Sequence, residues 1–180
     1  MRSIEVVDYD PAWPELFEQL RSRIWAAVND AAISIEHVGS TSVPNLAAKP
    51  IIDLTVVVET EAGVPLVIER LAALGYVHQG NLGIDGREAF DSPHRRPAHH
   101  LYVCARGNLG LVNHLALRDY LRTHADAARA YGDLKRRLAS RFPHDIDRYV
   151  QGKTGAILDI LREAGVPPEG LDAIARANRK

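Results

Sequence analysis

Residues 34–58 of the chain read SIEHVGSTSVPNLAAKPIIDLTVVV. The residues from Ser34 to Val38 predict a short strand, and the β-branched run over 50–58 predicts a central strand that is buried on both faces. Between them lies a turn of small residues, Gly39-Ser40-Thr41-Ser42, closed by Val43-Pro44-Asn45. This strand, turn and strand form the most informative unit of the sequence, and they predict a small sheet.

Helices and further strands are predicted on both sides of this unit. Upstream, apolar residues repeat at helical spacing from Trp13 to Val28, with Asp10 expected as the N-cap and Pro11 as the first helical residue. The elements predicted downstream are a helix over 61–74 that ends at Gly75, strands over 76–78, 87–90 and 100–105, and helices from Leu111 onward with breaks near His124, Phe142-Pro143 and 165–168.

This pattern predicts an α/β (α+β) fold in which a small mixed sheet is covered by helices. We expect one domain over residues 1–180, with a helical C-terminal half from about residue 108.

The composition limits the classes of partner. The apolar fraction is 46%, the charged fraction is 25% and the net charge is −1, which is typical of a soluble domain without a general basic field for nucleic acid. A single cysteine, Cys104, allows no intramolecular disulfide and indicates a reducing compartment. We see neither a signal peptide nor a stretch that could cross a bilayer, and we therefore expect a cytoplasmic protein without a membrane partner.

The turn after the first strand is suited to a phosphate. Backbone N–H groups and the hydroxyls of Ser40 and Thr41 converge there, Gly39 permits a close approach, and Lys49 adds positive charge. Asp53, an acid in an otherwise apolar strand, needs a partner, and Mg²⁺ held jointly with phosphate oxygens is one such partner. The same residues also form ordinary turns, and a lone aspartate in a strand often caps a helix or pairs with a lysine.

The eight histidines form a second group of interest. Imidazoles bind zinc and its neighbours, but no tight metal-ligand spacing is present, and adjacent residues such as His99 and His100 point to opposite faces of a strand. For His37 and His100 we expect hydrogen bonding to phosphate or general-base chemistry; pairing with backbone carbonyls is the alternative. The histidines near the proposed site are His37, His94, His99, His100 and His114.

Cationic residues recur in the helical half. His114, Arg118 and Arg122 fall at i, i+4 and i+8 on one side of a helix, and Arg118 is suited to bidentate recognition of phosphate. Lys135 and Lys153 on later helices are expected to extend this cationic wall. An ordinary surface helix shows such residues too.

The stretch from Ile35 to Leu54 resembles the signature of the GrpB family, which is placed in the nucleotidyltransferase superfamily. The resemblance continues over nearly the whole chain, through Tyr9-Asp10-Pro11 with Trp13, His99-His100-Leu101, His114-Leu115, Arg118-Asp119-Tyr120-Leu121 and Gly152-Lys153-Thr154. It implies a sheet of nucleotidyltransferase type, a phosphate turn at Gly39 and Ser40, and a first metal-binding acid at Asp53. In that superfamily the acids hold two divalent metals that bind the triphosphate and activate an attacking hydroxyl.

The sequence departs from the superfamily pattern at the second acid. Thr55 stands two positions after Asp53, where the second carboxylate is expected, and Ala105 stands where relatives tend to carry a glutamate. Asn45 replaces a frequent glycine, a mild change because asparagine tolerates left-handed backbone. These departures weaken the prediction of catalysis more than the prediction of nucleotide binding.

Three functions remain open from the sequence. The first is an enzyme that binds a nucleoside triphosphate with Mg²⁺ and transfers a nucleotidyl group to an unknown acceptor, with Asp53 and His100 as catalytic residues. The second is a non-catalytic module that binds a nucleotide or another phosphorylated ligand. The third is an accessory protein that binds a metal or a partner through its histidines. We rank the enzyme first and leave the oligomeric state open.

Overall fold

The computed structural model describes residues 3–94 and 96–177, without the side chains of residues 173, 176 and 177. Six α-helices and five strands follow one another along this part of the chain. In order they are α1 (Trp13–Val28), β1 (Ser34–Val38), β2 (Ile52–Val58), α2 (Val64–Ala73), β3 (Val77–His78), β4 (Arg87–Asp91), β5 (His99–Ala105), α3 (Leu109–Thr123), α4 (Ala125–Arg141), α5 (Ile146–Glu163) and α6 (Pro168–Ala177).

The strands form one mixed sheet in the order β1-β2-β5-β4-β3. β2 and β5 run parallel at its centre, and the other neighbours pair antiparallel. The register places Asp53 of β2 between Val38 of β1 and His100 of β5. Residues from three strands therefore meet at one end of the sheet.

One face of the sheet is covered by α1 and α2. The main hydrophobic core lies there, because alternate residues of β2 such as Leu54 and Val56 point to this side and pack against the apolar stripe of α1. Ile24 and Val28 of α1 are almost completely buried in that core. The central strand is thus fixed from one side by a continuous apolar layer.

The opposite face carries Asp53 and is only partly covered by apolar contacts. Val57 and Cys104 pack against Leu111 of α3, which anchors the helical half to the sheet. A separate apolar cluster then joins the turn after β1 to the helices, through Leu46, Leu121 and Tyr131 among others. The functional residues lie between this sheet face and the helices.

The predicted fold class is confirmed, and the predicted elements occur in the predicted order. Most strand and helix ends differ from the prediction by one or two residues; β2, for example, begins at Ile52 rather than at residue 50. The starts of α1 and α2 also differ. α1 begins at Trp13 after Ala12, and Asp10 Oδ1 accepts a hydrogen bond from the Ala12 N–H at 2.9 Å, so Asp10 and Pro11 form the turn before the helix rather than its cap and first residue. Residues Glu61–Gly63 form a short 3-10 turn, and α2 proper begins at Val64.

Among the described residues, no helix is both long enough and apolar enough to cross a bilayer.

Candidate functional site

The turn after β1 is a short 3-10 turn over Ser40–Ser42. Its two hydrogen bonds run from the Ser42 N–H to the Gly39 carbonyl (3.3 Å) and from the Val43 N–H to the Ser40 carbonyl (3.2 Å). The Ser42 hydroxyl also donates to the Gly39 carbonyl, at 2.6 Å. The N–H groups of Ser40 and Thr41 begin the turn and have no acceptor within it. Further along, Asn45 has φ 63°, the left-handed backbone expected for this asparagine.

Gly39 lies directly against the carboxylate of Asp53. Its φ of 70° and ψ of −176° fall in a region that is essentially restricted to glycine. A Cβ atom at this position would lie 2.1 Å from Asp53 Oδ2 and 3.0 Å from Asp53 Cβ. The turn can therefore follow its path past β2 only because residue 39 has no side chain.

Asp53 has a partner on the neighbouring strand. His100 Nδ1 lies 2.8 Å from Asp53 Oδ1, and both side chains are partly exposed, with 48% of the His100 side chain and 26% of the Asp53 side chain accessible. Because a carboxylate can only accept, His100 donates from Nδ1, and in the neutral ring Nε2 keeps its lone pair. The sequence predicted each of the two residues in the site, and the structure adds the direct contact between them.

His37 and Thr41 form hydrogen bonds that link the turn to the segment before β2. The single hydroxyl proton of Thr41 is donated to the Ile51 carbonyl at 3.3 Å, so Thr41 Oγ1 accepts from His37 Nε2 at 3.1 Å. The His37 ring stacks on Phe17 with a 4.5 Å centroid separation. Burial lowers the pKa of His37 to about 4, an effect that Arg122 and Arg118 strengthen and Asp53 opposes. His37 is therefore neutral near pH 7, and its polar contact is with the turn.

Arg118 and Arg122 tie α3 to the β1 segment. The Arg118 guanidinium donates to Glu36 Oε2 (3.1 Å), to the His37 carbonyl (3.1 Å) and to Asp119 Oδ1 (2.7 Å). Arg122 donates twice to the Ser42 carbonyl, at 3.0 Å and 2.8 Å. Arg118 borders the cleft, but most of its donors are already paired. These contacts favour a role for Arg118 in holding the end of β1 against α3 rather than the direct phosphate contact that the sequence suggested.

Three lysines converge beside the turn. Lys135 of α4 is 2% exposed and donates to Ser40 Oγ at 2.8 Å. Lys153 of α5 and Lys49, from the segment before β2, lie 4.7 Å and 6.0 Å from the Tyr149 ring. No carboxylate of the described residues forms an ion pair with any of the three.

The pKa of Lys135 is lowered to about 7, chiefly by burial and also by the nearby charges of Lys153 and Arg136, whereas Asp53 acts in the opposite direction. Burial likewise lowers the pKa of Lys153 to about 8, with Lys49 acting in the same direction and Asp53 against it. Desolvation and like charges thus disfavour the ammonium forms, and Asp53 is the one carboxylate that favours them in both cases.

These groups line a single cleft of about 620 Å³ between the sheet and the helical half. Its polar wall contains the turn, Asp53, His100 and the three lysines. Its apolar wall comes from the helices and consists of residues such as Leu117, Leu121, Tyr131, Ile157 and Leu161.

Two buried polar atoms near the cleft lack a hydrogen-bond partner among the described residues. Thr55 Oγ1 is one of them; Thr55 follows Asp53 on the same face of β2 and is 2% exposed. The other is Oδ1 of Asn113, which is 5% exposed and lines the cleft from α3. Sequence reasoning missed Asn113, since an asparagine within a helix carries no signal of its own.

The histidines do not converge as a metal site. His99 points to the opposite face from His100, where its Nε2 lies 2.8 Å from the Tyr76 hydroxyl and its Nδ1 lies 2.8 Å from the Pro97 carbonyl. His94 lies beside Arg23, 3.3 Å from Nη2. Within residues 3–94 and 96–177, no group of three or more His, Cys, Asp or Glu side chains is arranged to hold a metal ion.

The side chains of Asp53 and Thr55 decide how many divalent ions the cleft can hold. Mg²⁺ is commonly held by one or two carboxylates together with phosphate oxygens, and Asp53 can supply one such carboxylate. Thr55 occupies the position of a second carboxylate, and its buried hydroxyl is a poor substitute. The residues present fit one ion shared with a phosphate ligand and do not fit a pair of ions.

Comparison with known sequences gives a consistent result. The sequence profile of the family described as GrpB protein matches residues 3–163. UPF0157 protein YqkA of Bacillus subtilis is 39% identical over 152 residues, which cover 84% of this chain and 44% of that protein. UPF0157 protein BH1888 of Halalkalibacterium halodurans is 34% identical over 167 residues, covering 90% of this chain and 83% of that protein. The chain thus spans less than half of YqkA but most of BH1888.

Solved structures give the same fold. The crystal structure of the conserved protein GrpB from Enterococcus faecalis matches with a TM-score of 0.80 and 38% identity, covering 89% of this chain and 96% of that chain. Cid1 poly(U) polymerase with MgGTP bound matches with a TM-score of 0.55 and 15% identity, covering 75% of this chain and 45% of the polymerase. At this low identity the second match shows similarity of fold alone.

The contact between Gly39 and Asp53 predicts a coupled pair of substitutions. Gly39→Ala should lower the free energy of unfolding by about 2–4 kcal/mol, because it adds backbone strain and a steric clash with Asp53. Asp53→Ala in the same chain should recover part of this loss, since it removes the clashing carboxylate but not the strain. A double-mutant cycle by chemical denaturation measures the coupling, and strictly additive effects would contradict the contact.

The unpartnered hydroxyl of Thr55 predicts an unusual gain in stability. Thr55→Val should raise the free energy of unfolding by about 1 kcal/mol, because it removes a buried polar atom without a partner. Thr41→Val is the matched control and should lower it by about 1–3 kcal/mol, because its hydroxyl bonds His37 and Ile51. Thermal unfolding of the two variants should give shifts of opposite sign; a loss of stability in both would show that Thr55 has a partner.

Proposed function

The chain belongs to the GrpB family and has a fold similar to that of nucleotidyltransferases, and we propose that it binds a nucleoside triphosphate at the Gly39–Thr41 turn and transfers a nucleotidyl group from it to an acceptor.

The observation that carries this proposal is the convergence of Lys49, Lys135 and Lys153 on one cleft beside the turn. The sequence contains 22 lysines and arginines, of which only four are lysines. Three of these four line the cleft, and the fourth, Lys180, lies outside the described residues. Lysine is a compact point charge suited to phosphate, and it tolerates burial by losing its proton. A polyanionic ligand accounts for this placement.

The polar groups of the turn would hold the phosphates. The N–H groups of Ser40 and Thr41 can donate to phosphate oxygens, and Gly39 lets the ligand approach the backbone. The lysines would balance the phosphate charge and stabilise the charge that builds up on the leaving group. Asp53 would hold a Mg²⁺ ion together with phosphate oxygens, and the bound ion would polarise the phosphate.

His100 is positioned to act on the attacking hydroxyl. With Nδ1–H donated to Asp53, Nε2 can accept the proton that an acceptor hydroxyl loses. In that step the acceptor oxygen forms a bond to the α-phosphorus, the bond from that phosphorus to the bridging oxygen breaks, and pyrophosphate leaves. The half-exposed position of the His100 ring leaves room for an acceptor from solvent.

A non-catalytic binding module is the second candidate function. The observation in its favour is Thr55, which occupies the position of the second carboxylate with a buried hydroxyl. Such a module would bind a nucleotide or another phosphorylated ligand in the same cleft without forming a product. The two candidates therefore share a binding site and differ only in turnover.

The proposed binding site predicts which substitutions weaken nucleotide binding. Ser40→Ala and Lys135→Met should each weaken the binding of ATP, GTP, CTP or UTP about 10-fold or more, because each removes a polar group from the phosphate site. Arg129→Met removes an exposed charge from the same helix and should leave affinity unchanged. Equilibrium binding with labelled nucleotides measures these constants, and equal affinity in all variants would place the ligand elsewhere.

Turnover separates the two candidate functions. Incubation of the protein with labelled nucleotide, Mg²⁺ and a pool of metabolites and proteins should yield labelled product that disappears in Asp53→Ala. Transfer at full rate in Asp53→Ala would contradict the assigned site. Tight binding without product would favour the binding module.

The unpartnered acceptor of Asn113 predicts discrimination among bases. An N–H group of a bound base could satisfy Asn113 Oδ1, whereas a base that presents only acceptors there would leave it unpaired. Asn113→Leu should therefore reduce the differences in affinity among the four nucleotides, measured by the same binding assay. Unchanged differences would show that the base lies away from α3.

A further inference from the structure

We propose that Lys49, Lys135 and Lys153 take the place of the second divalent ion of a two-metal site, so that the triphosphate binds here with at most one divalent ion. This inference rests on the proposed function, because it concerns how the same cleft neutralises the phosphates of the nucleotide.

The fold brings the three lysines together from separate segments. Lys49 precedes β2, Lys135 lies on α4 and Lys153 lies on α5. The two helices approach closely because Gly152 packs against Leu138, where a Cβ atom would lie 2.5 Å from Leu138 Cδ2. Gly152 directly precedes Lys153, so the close packing of the helices brings this lysine toward Lys135.

The ammonium groups are held in the cleft by uncharged neighbours. Lys135 Nζ contacts Ser40 Oγ at 2.8 Å and lies 4.7 Å from the Tyr131 ring, and Tyr149 lies between Lys49 and Lys153. Ring faces attract cations but do not neutralise them. Positive charge is therefore concentrated at the point where the turn presents its N–H groups.

The carboxylates needed for a second ion are absent from this place. Among the residues that the structure describes, Asp53 is the one carboxylate that lines the cleft beside the turn, and its Oδ1 is already bonded to His100. Thr55 stands at the position expected for the second acid, and within the described residues the β3–β4 loop adds only Asp85 to the cleft wall. Ala105, where relatives tend to carry a glutamate, pairs with Val58 at the other end of β2 and packs in the core on the opposite face, so it does not belong to this place. The described residues beside the turn thus supply one carboxylate and three amines.

The charges balance for one ion. A nucleoside triphosphate carries about four negative charges at neutral pH, and Asp53 adds one more. Three ammonium groups and a single Mg²⁺ together supply five positive charges. A second divalent ion would leave the site with an excess of two positive charges in a partly desolvated cleft, which is unfavourable.

Two of the lysines have lowered pKa values in the free protein, so a bound anion should change their protonation. The pKa of Lys135 is lowered to about 7 and that of Lys153 to about 8, chiefly by burial. At pH 8 Lys135 is therefore largely neutral before the ligand binds. Phosphate oxygens beside the amine favour its charged form and raise its pKa, so nucleotide binding should be accompanied by the uptake of protons.

The test is isothermal titration calorimetry of the intact protein with ATP, GTP, CTP and UTP at pH 8. Each nucleotide is titrated once with excess EDTA and once with Mg²⁺, in two buffers that differ in ionisation enthalpy. For a nucleotide that binds with Mg²⁺, we expect weaker binding in EDTA, because the three ammonium groups alone leave about two negative charges unbalanced. We also expect the uptake of about one proton per nucleotide. Uptake should decrease at pH 6, where both lysines are already protonated.

Variants connect the proton uptake to the lysines. Lys135→Met should abolish most of the uptake and weaken binding in EDTA, whereas the control Arg129→Met should change neither. Uptake that is the same in Lys135→Met and in the unaltered protein would contradict the assignment. Because the uptake is first measured on the unaltered protein, the test does not depend on the folding of the variant.

The outcomes separate this inference from the proposed function. Two Mn²⁺ ions per bound nucleotide in a metal titration would overturn the inference and leave the proposed function standing. No binding of any nucleotide under either condition would overturn both.

Discussion

The structure depends on the close approach of the turn after β1 to the carboxylate of Asp53. Gly39 passes so near Asp53 Oδ2 that any side chain at this position would overlap it. The positive φ of Gly39 directs the chain into the 3-10 turn and away from the edge of the sheet. Arg122 and the pair formed by His37 and Thr41 then hold that turn from two sides. As a result, the N–H groups of the turn, one carboxylate and His100 are presented at the same end of the sheet.

The helical half completes the site by adding charge of the opposite sign. Arg118 of α3 forms an ion pair with Glu36 of β1, and Leu111 of α3 packs against the sheet. The helices that follow, α4 and α5, therefore lie over the sheet face that bears Asp53. Lys135 is buried against the turn and Lys153 is partly buried beside the cleft, and neither has a carboxylate in ion-pair contact among the described residues. Burying uncompensated positive charge disfavours the free protein, and a bound polyanion relieves this cost. The nucleotide binding that we propose would account for the position of these lysines.

Much of this arrangement could be predicted from the sequence, because it depends on local patterns. The β-branched run of β2, the small residues of the turn and the helical periodicity of α1 each indicate their structure within a few residues. Asp53 and His100 were each expected in the site, but their contact was not predicted, because it depends on the register of the parallel pair β2 and β5. The contact of Lys135 with Ser40 spans 95 residues of sequence, and only the packing of α4 and α5 brings the two residues together. Arg118 was expected to contact phosphate, but its guanidinium donates to Glu36 and to the His37 carbonyl. These partners are more than 80 residues away in the sequence, so the sequence pattern could not indicate them. The scarcity of lysine in a chain rich in arginine was a signal in the sequence that pattern analysis did not use.

The most direct test of the central claim is a crystal structure of the protein with a non-hydrolysable nucleoside triphosphate analogue. The account predicts phosphate oxygens within hydrogen-bond distance of the Ser40 N–H and of the Nζ atoms of Lys135 and Lys153, with Lys135 released from Ser40 Oγ or shared with it. It also predicts no more than one divalent ion, bound to Asp53. Phosphates bound away from these lysines, or a cleft in which Lys135 keeps its contact with Ser40 while the analogue binds elsewhere, would contradict it.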